Sequence, residues 1–147
     1  MKRAFACVLF ALLTAAIGLG QDIYDWETDL EAGLEQAAEK EKHVLLYFAG
    51  SDWCGWCIRL KDEVLETRRF REFSEQNLVP VLIDFPRTRR QPEEQQEYNR
   101  ELAERYEVEG FPTIYLLTPE EEVVLETGYR QGGPTNYVEH LRQALEQ

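Results

Sequence analysis

Two cysteines, Cys54 and Cys57, stand two residues apart in the stretch "GSDWCGWC", residues 50 to 57. Trp53 precedes the pair and Trp56 lies inside it, while the third cysteine, Cys7, is far upstream. Two thiols at this spacing can clip a metal, staple a loop or exchange electrons. A structural zinc site needs four ligands. Past the first twenty residues the sequence offers only His43 and His140 beside the pair. His43 precedes an apolar run and His140 falls in the last helical segment, which argues against their convergence. A purely structural disulfide here would close a very short loop, and short loops remove little entropy from the unfolded chain. The redox reading has a mechanism. If a helix begins at the pair, Cys54 meets free N–H groups and the positive end of the helix dipole. Both favour the thiolate, which is the attacking species. Cys57, one turn further on, then reaches the mixed disulfide that Cys54 forms, and Gly55 permits a close backbone approach.

That arrangement requires a buried strand before the pair and a helix behind it. "VLLYFA" (Val44 to Ala49) is apolar without alternation, as in a strand covered on both faces. Behind the pair, Cys57, Leu60 and Val64 are spaced 3 and 4 apart, so a helix starts at or near the cysteines. Thr67 is placed to cap a continuation that carries Phe70 and Phe73. Upstream, "TDLE" (Thr28 to Glu31) has the spacing of a capping box, followed by Leu30, Leu34, Ala37 and Ala38 on one helical face. Downstream, "LVPVLIDF" (Leu78 to Phe85) reads as a second buried strand. Pro92 suits the first position of a helix, and Tyr98, Leu102 and Tyr106 continue it at intervals of four. Thr113 to Leu117 and Glu122 to Glu126 read as strands around a turn at Thr118-Pro119-Glu120. A final helix starts near Pro134, with Tyr137, Val138, Leu141 and Leu145 inward.

This order predicts an α/β layered domain. The first two strands should be parallel, joined by a right-handed crossover, and the last two should form a hairpin. Parallel strands share a C-terminal edge. Arg87, Arg89 and Arg90, in the loop after the second strand, should therefore open on the same side as Cys54. They serve there either as a solvated turn or as a contact for acidic partners.

The chain has 147 residues, 44% hydrophobic and 30% charged, which fits one soluble globular domain. Its first twenty residues differ: Lys2 and Arg3 precede an uncharged run from Ala4 to Gly20 that closes on small residues. This pattern predicts a secretory signal peptide over residues 1–20 and a domain over residues 21–147. The alternative is an uncleaved anchor at the short end of the spanning range of about 17–25 residues. Membrane association is expected only in that case. Cleavage removes Cys7 and leaves Cys54 and Cys57 in a periplasmic or secreted chain, where disulfides persist. Losing Lys2 and Arg3 also takes the net charge from −12 to −14. Such a chain repels phosphate backbones, so no nucleic-acid partner is expected.

"YFAGSDWCGWC", with "YEVEGFPTIYLL" downstream, resembles the thioredoxin superfamily, and within it the secreted bacterial thioredoxin-like thiol–disulfide oxidoreductases. The similarity runs from about Trp26 to Leu145. It implies a central mixed sheet of about four strands, flanked by helices on both faces. Cys54 and Cys57 take the catalytic roles of attacking and resolving cysteine. The Phe111–Pro112 bond is expected to be cis and to lie beside the pair. Phe111 and Pro112 then bind substrate, together with Trp53, Gly55 and Trp56 around the cysteines. Trp53 is equally explained as packing under the active-site loop. No metal or organic cofactor is implied, since the electrons reside in the cysteine pair. The implied partners are protein substrates with thiols or disulfides, and a redox protein that resets the pair of a monomer. One departure stands out. Typical members bury an acid behind the second cysteine, and here Tyr47 or Phe48 takes that place. The lysine that accompanies that acid on the next strand is missing too. The rival reading is a thioredoxin-fold binding or chaperone module whose cysteines are incidental.

Overall fold

A computed structural model describes residues 23–146. The signal segment expected over residues 1–20, and Cys7 with it, lies outside the described residues. Every apolar run expected as a strand is one: β1 His43–Ala49, β2 Leu78–Asp84, β3 Thr113–Leu117 and β4 Val123–Thr127. They form one sheet in the order β2-β1-β3-β4. β1 pairs parallel with β2 and antiparallel with β3, and β3 and β4 make the expected hairpin.

β1 shows why its sequence lacks alternation. Leu45, Tyr47 and Ala49 enter the core on one face of the sheet. Val44, Leu46 and Phe48 enter a second core on the other. The first face is covered by α2 (Gly55–Leu60), α3 (Arg68–Asn77) and α5 (Gly133–Leu145). The second is covered by α1 (Leu30–Lys40) and α4 (Glu93–Arg105). Burying each Leu, Ile or Phe fully contributes about 1.5–3 kcal/mol, so both layers hold β1 in place. α2 continues over Lys61–Leu65 as a π-helical stretch before Thr67 caps α3, its side chain accepting from the Phe70 N–H. Cys57, Leu60 and Val64 all point inward, as their spacing requires.

Local expectations needed correction where a distant residue intervenes. The cap of α1 is Asp29, whose Oδ1 accepts from Ala32 N–H at 2.7 Å, and not a Thr28–Glu31 box. The Tyr98 hydroxyl from α4 accepts from Leu30 N–H and donates to Glu31, which takes Glu31 out of the box. Gly33 is buried in α1 and Ala38 is exposed, because α1 presses Gly33 against β2. A Cβ there would lie 2.5 Å from Val81 Cγ2. Pro92 caps α4 instead of opening it. β4 is shifted by one residue, since Glu121 takes a left-handed φ of 66° in the turn. Ala144 is buried deeper than Leu145 at the end of α5. The free edge of β2 is covered by the incoming chain: Glu27 bridges Val81, and its carbonyl accepts from Leu82 N–H at 2.7 Å. Among the described residues no helix is long and apolar enough to cross a membrane.

Candidate active site

β1 ends at Ala49, and the chain turns through Gly50 to Trp53 before α2 begins. Cys54 is the N-cap of α2 and Cys57 lies one turn inside it. The two are joined in a disulfide with Cα atoms 5.2 Å apart. The Cys57 N–H donates to Cys54 Sγ at 3.2 Å. That donor, and the free N–H groups of the helix start, favour a thiolate on Cys54 once the pair is reduced. Cys54 is 7% exposed and Cys57 1%, so an incoming group meets Cys54 first. The Phe111–Pro112 bond is cis, and the Phe111 carbonyl oxygen lies 3.6 Å from Cys54 Sγ. The Pro112 carbonyl in turn packs on Gly128, where an added Cβ would approach within 2.8 Å.

The two tryptophans are used differently. Trp53 lies across Gly50, whose missing Cβ makes the space: an added one would sit 2.5 Å from the indole. The Trp53 indole N–H donates to the Phe85 carbonyl at 2.7 Å, and its ring meets Phe111 edge-on. The Arg87 guanidinium lies 3.6 Å over its face. Trp53 is thus built into the loop. Trp56 is 52% exposed, with one side against the Tyr129 ring at 5.0 Å. Tyr129 donates to Glu63 at 2.6 Å, Arg59 donates to the other oxygen of Glu63 at 2.7 Å, and Arg59 also lies near both rings. These bonds tie α2 to the β4–α5 loop. Arg59 and then the Tyr129 hydroxyl hold the Glu63 carboxyl below its ordinary pKa. Gly55 has no protein atom within 4 Å of a built Cβ, so no contact within the chain demands glycine there.

A polar clamp was not foreseen from the sequence. Asp84, at the end of β2, is buried, and its two oxygens accept from the Ser51 N–H at 2.9 Å and the Ser51 hydroxyl at 2.6 Å. Arg89 pairs with the same carboxylate at 2.7 Å. Next to it, Asp52 accepts from the N–H groups of Arg87 and Thr88 at 2.9 and 2.7 Å, and from the Thr88 hydroxyl. The Thr88 hydroxyl, and then the Arg87 N–H, hold Asp52 well below the usual carboxylate range. The available signal was Asp84 itself, a lone acid closing an apolar run, since a buried charge needs partners.

Of the residues singled out in the sequence, Cys54, Cys57, Trp53, Gly55, Trp56, Phe111 and Pro112 all gather at the C-terminal edge of β1. The arginine loop opens on the same side, as Arg87 on Trp53 shows. Tyr47 faces the cysteine pair, its hydroxyl 3.4 Å from the Cys57 carbonyl, whereas Phe48 belongs to the opposite core. His140 reaches Thr127 and does not approach the pair. No cluster able to hold a metal ion occurs among the described residues.

Comparison with known proteins places this geometry. A family model described as thioredoxin-like matches residues 25–119. The disulfide bond reductase DsbH of Chlamydia pneumoniae is 39% identical over 120 residues, covering 82% of this chain and 72% of that protein. The thioredoxin-related protein DsbJ of the same organism is 30% identical over 130 residues; the match covers 86% of this chain but 37% of DsbJ. A solved structure of a DsbH oxidoreductase superposes with a TM-score of 0.77 at 38% identity, covering 82% of this chain and 83% of the other. The α/β fold with its four-stranded mixed sheet is therefore the thioredoxin-like fold.

Proposed function

Since the chain belongs to the thioredoxin-like family and is a thiol–disulfide oxidoreductase, we propose that it reduces disulfides of protein substrates outside the cytoplasm. The observation that carries this reading is the placement of Cys54. It caps α2, receives the Cys57 N–H, and is the more exposed sulfur of a pair next to the cis Phe111–Pro112 peptide. In the reduced protein, the Cys54 thiolate attacks one sulfur of a substrate disulfide. A Cys54–substrate disulfide forms and the other substrate sulfur leaves as a thiolate. Cys57 then loses its proton and attacks Cys54 Sγ. The Cys54–Cys57 disulfide forms, and the second substrate thiolate is released. Two electrons have passed to the substrate, and a partner dithiol protein must return two to the pair. Phe111 and Pro112 offer backbone beside Cys54 to an extended substrate, and Trp56 offers an exposed apolar ring. The reducing direction is supported by the name of the Chlamydia pneumoniae relative. A periplasmic or secreted location is supported by the residues of the first twenty positions.

The test is reduction of insulin by dithiothreitol. The wild-type protein should accelerate precipitation of the insulin B chain, and Cys54→Ser should abolish the acceleration. Cys57→Ser should instead accumulate mixed disulfides with client proteins in the producing cell. Equal activity of wild type and Cys54→Ser would return the chain to the class of binding modules.

A further inference from the structure

Beside the redox pair lies a cleft of 340 Å³ whose lining includes Phe85, Pro86, Arg87, Arg89, Arg90 and Arg100. No acidic residue lines it. This is unusual for a chain with 28 acidic and 16 basic residues. Arg89 and Arg100 are anchored by Asp84 and Glu97. The guanidinium groups of Arg87 and Arg90 make no salt bridge among the described residues, although the Arg87 backbone N–H is held by Asp52, and both residues are exposed. The cleft is continuous with the site. Its Phe85 ring stacks on Phe111 at 5.0 Å, and the Phe111 carbonyl lies 3.6 Å from Cys54 Sγ. Arg87 is held on the face of Trp53, the residue next to Cys54.

Resting on the redox reading above, we propose that this cleft docks an acidic segment of the protein whose disulfide or thiol is presented to Cys54. Carboxylates match guanidinium donors in pairs, and the Phe85–Pro86 floor accepts the aliphatic parts of a peptide. Continuity with Cys54 favours a peptide over a phosphate or a lipid headgroup, because only a chain running on from the cleft delivers a sulfur. The overall negative charge opposes an acidic partner at long range. At physiological ionic strength, however, charges act over about 8 Å. The local arginines then outweigh acids on the far side of the domain.

The experiment uses the reduced protein and one disulfide peptide made with glutamate, glutamine or lysine flanks. At about 0.1 M NaCl the glutamate peptide should oxidise the protein about tenfold faster than the lysine peptide. The ratio should approach one at about 1 M NaCl, where the Debye length falls to about 3 Å. Arg90→Glu combined with Arg100→Glu should remove the preference. Because the readout is a ratio between peptides in the same protein, a general change in reactivity cancels. Equal rates in the wild type, or a ratio untouched by the double substitution, would overturn the proposal. Failure of every peptide to react would count against the redox reading alone. The oxidised protein would then be titrated with a cysteine-free glutamate peptide and followed by tryptophan fluorescence. Salt-sensitive binding that Arg90→Glu weakens supports the cleft, and no binding overturns it. Binding to phosphatidylglycerol vesicles in place of the peptide would overturn the protein occupant.

Discussion

Tyr47 stands on the strand that faces the cysteine pair, where typical relatives by resemblance carry a buried acid. Its phenol is a poor base at neutral pH, since phenols titrate near 10. The acids close to the pair in sequence are no better placed. Asp52 is held low by Thr88 and Arg87, and Glu63 by Arg59 and Tyr129. Asp84, the one buried acid among the described residues, is engaged by Ser51 and Arg89. Cys57, 1% exposed, must nevertheless lose its proton before it attacks the mixed disulfide. Burial in apolar surroundings opposes that loss. The resolving step is therefore expected to accelerate with pH through the thiol range, from about 7 to about 9, without a plateau set by a carboxylate. Tyr47→Phe should change its rate by less than about twofold, since a phenol is too weak a base to take up the Cys57 proton. Stopped-flow decay of a preformed mixed disulfide reads both. A rate flat across that range, or a large loss with Tyr47→Phe, would show that a group in this core already moves the proton.

Two loops meet at the C-terminal edge of the sheet, one after β1 and one after β2, and side chains from residues 51–53 sew them together. Ser51 bonds Asp84, Asp52 bonds Arg87 and Thr88, and Trp53 bonds the Phe85 carbonyl. Asp52→Ala should lower the Tm at neutral pH, and the pH dependence has a definite sign. The folded carboxyl titrates below its unfolded value, so its contribution is fully present above about pH 4. As pH falls below that value the unfolded chain takes up the proton first, and the contribution is lost. The Tm gap between wild type and Asp52→Ala should thus hold down to about pH 4 and narrow below it. Thermal melts from neutral to acid pH check this, and a gap that widens in acid would contradict it. The clamp was hidden from the sequence because its partners are more than thirty residues apart. β1, β2 and β3 were legible because burial on both faces leaves unbroken apolar runs such as Val44 to Ala49. The α1 cap was misplaced for the same reason as the clamp: Tyr98, from another helix, competes for Leu30 N–H and Glu31. The cysteine site was legible because strand, pair and helix follow one another in the chain, and the cis bond was reached only through resemblance.

At the scale of the whole chain, the first residue described already lies in the core, three positions past the end of the uncharged run at Gly20. Ile23 is 2% exposed, and Trp26 packs on Tyr47 and Phe70. Glu27 then covers the edge of β2 through the Leu82 N–H. A cut after Gly20 would leave all of these contacts intact and only two residues ahead of Ile23. It would also remove Cys7, so that no third thiol competes with Cys54 and Cys57 for a disulfide in an oxidising compartment. The chain that remains carries a net charge of −14 once Lys2 and Arg3 are lost. On the pattern of the first twenty residues we propose export followed by cleavage. Expressed from its first Met in a Gram-negative host, the protein should be released by osmotic shock with Gln21 as its N-terminal residue. Intact-mass measurement should show the loss of residues 1–20, and Cys7→Ser should leave the released protein unchanged. A full-length chain recovered from the membrane fraction would sink the cleavage and assign residues 4–20 to an anchor. The thioredoxin-like domain would then work tethered, and only at disulfides within reach of the membrane surface.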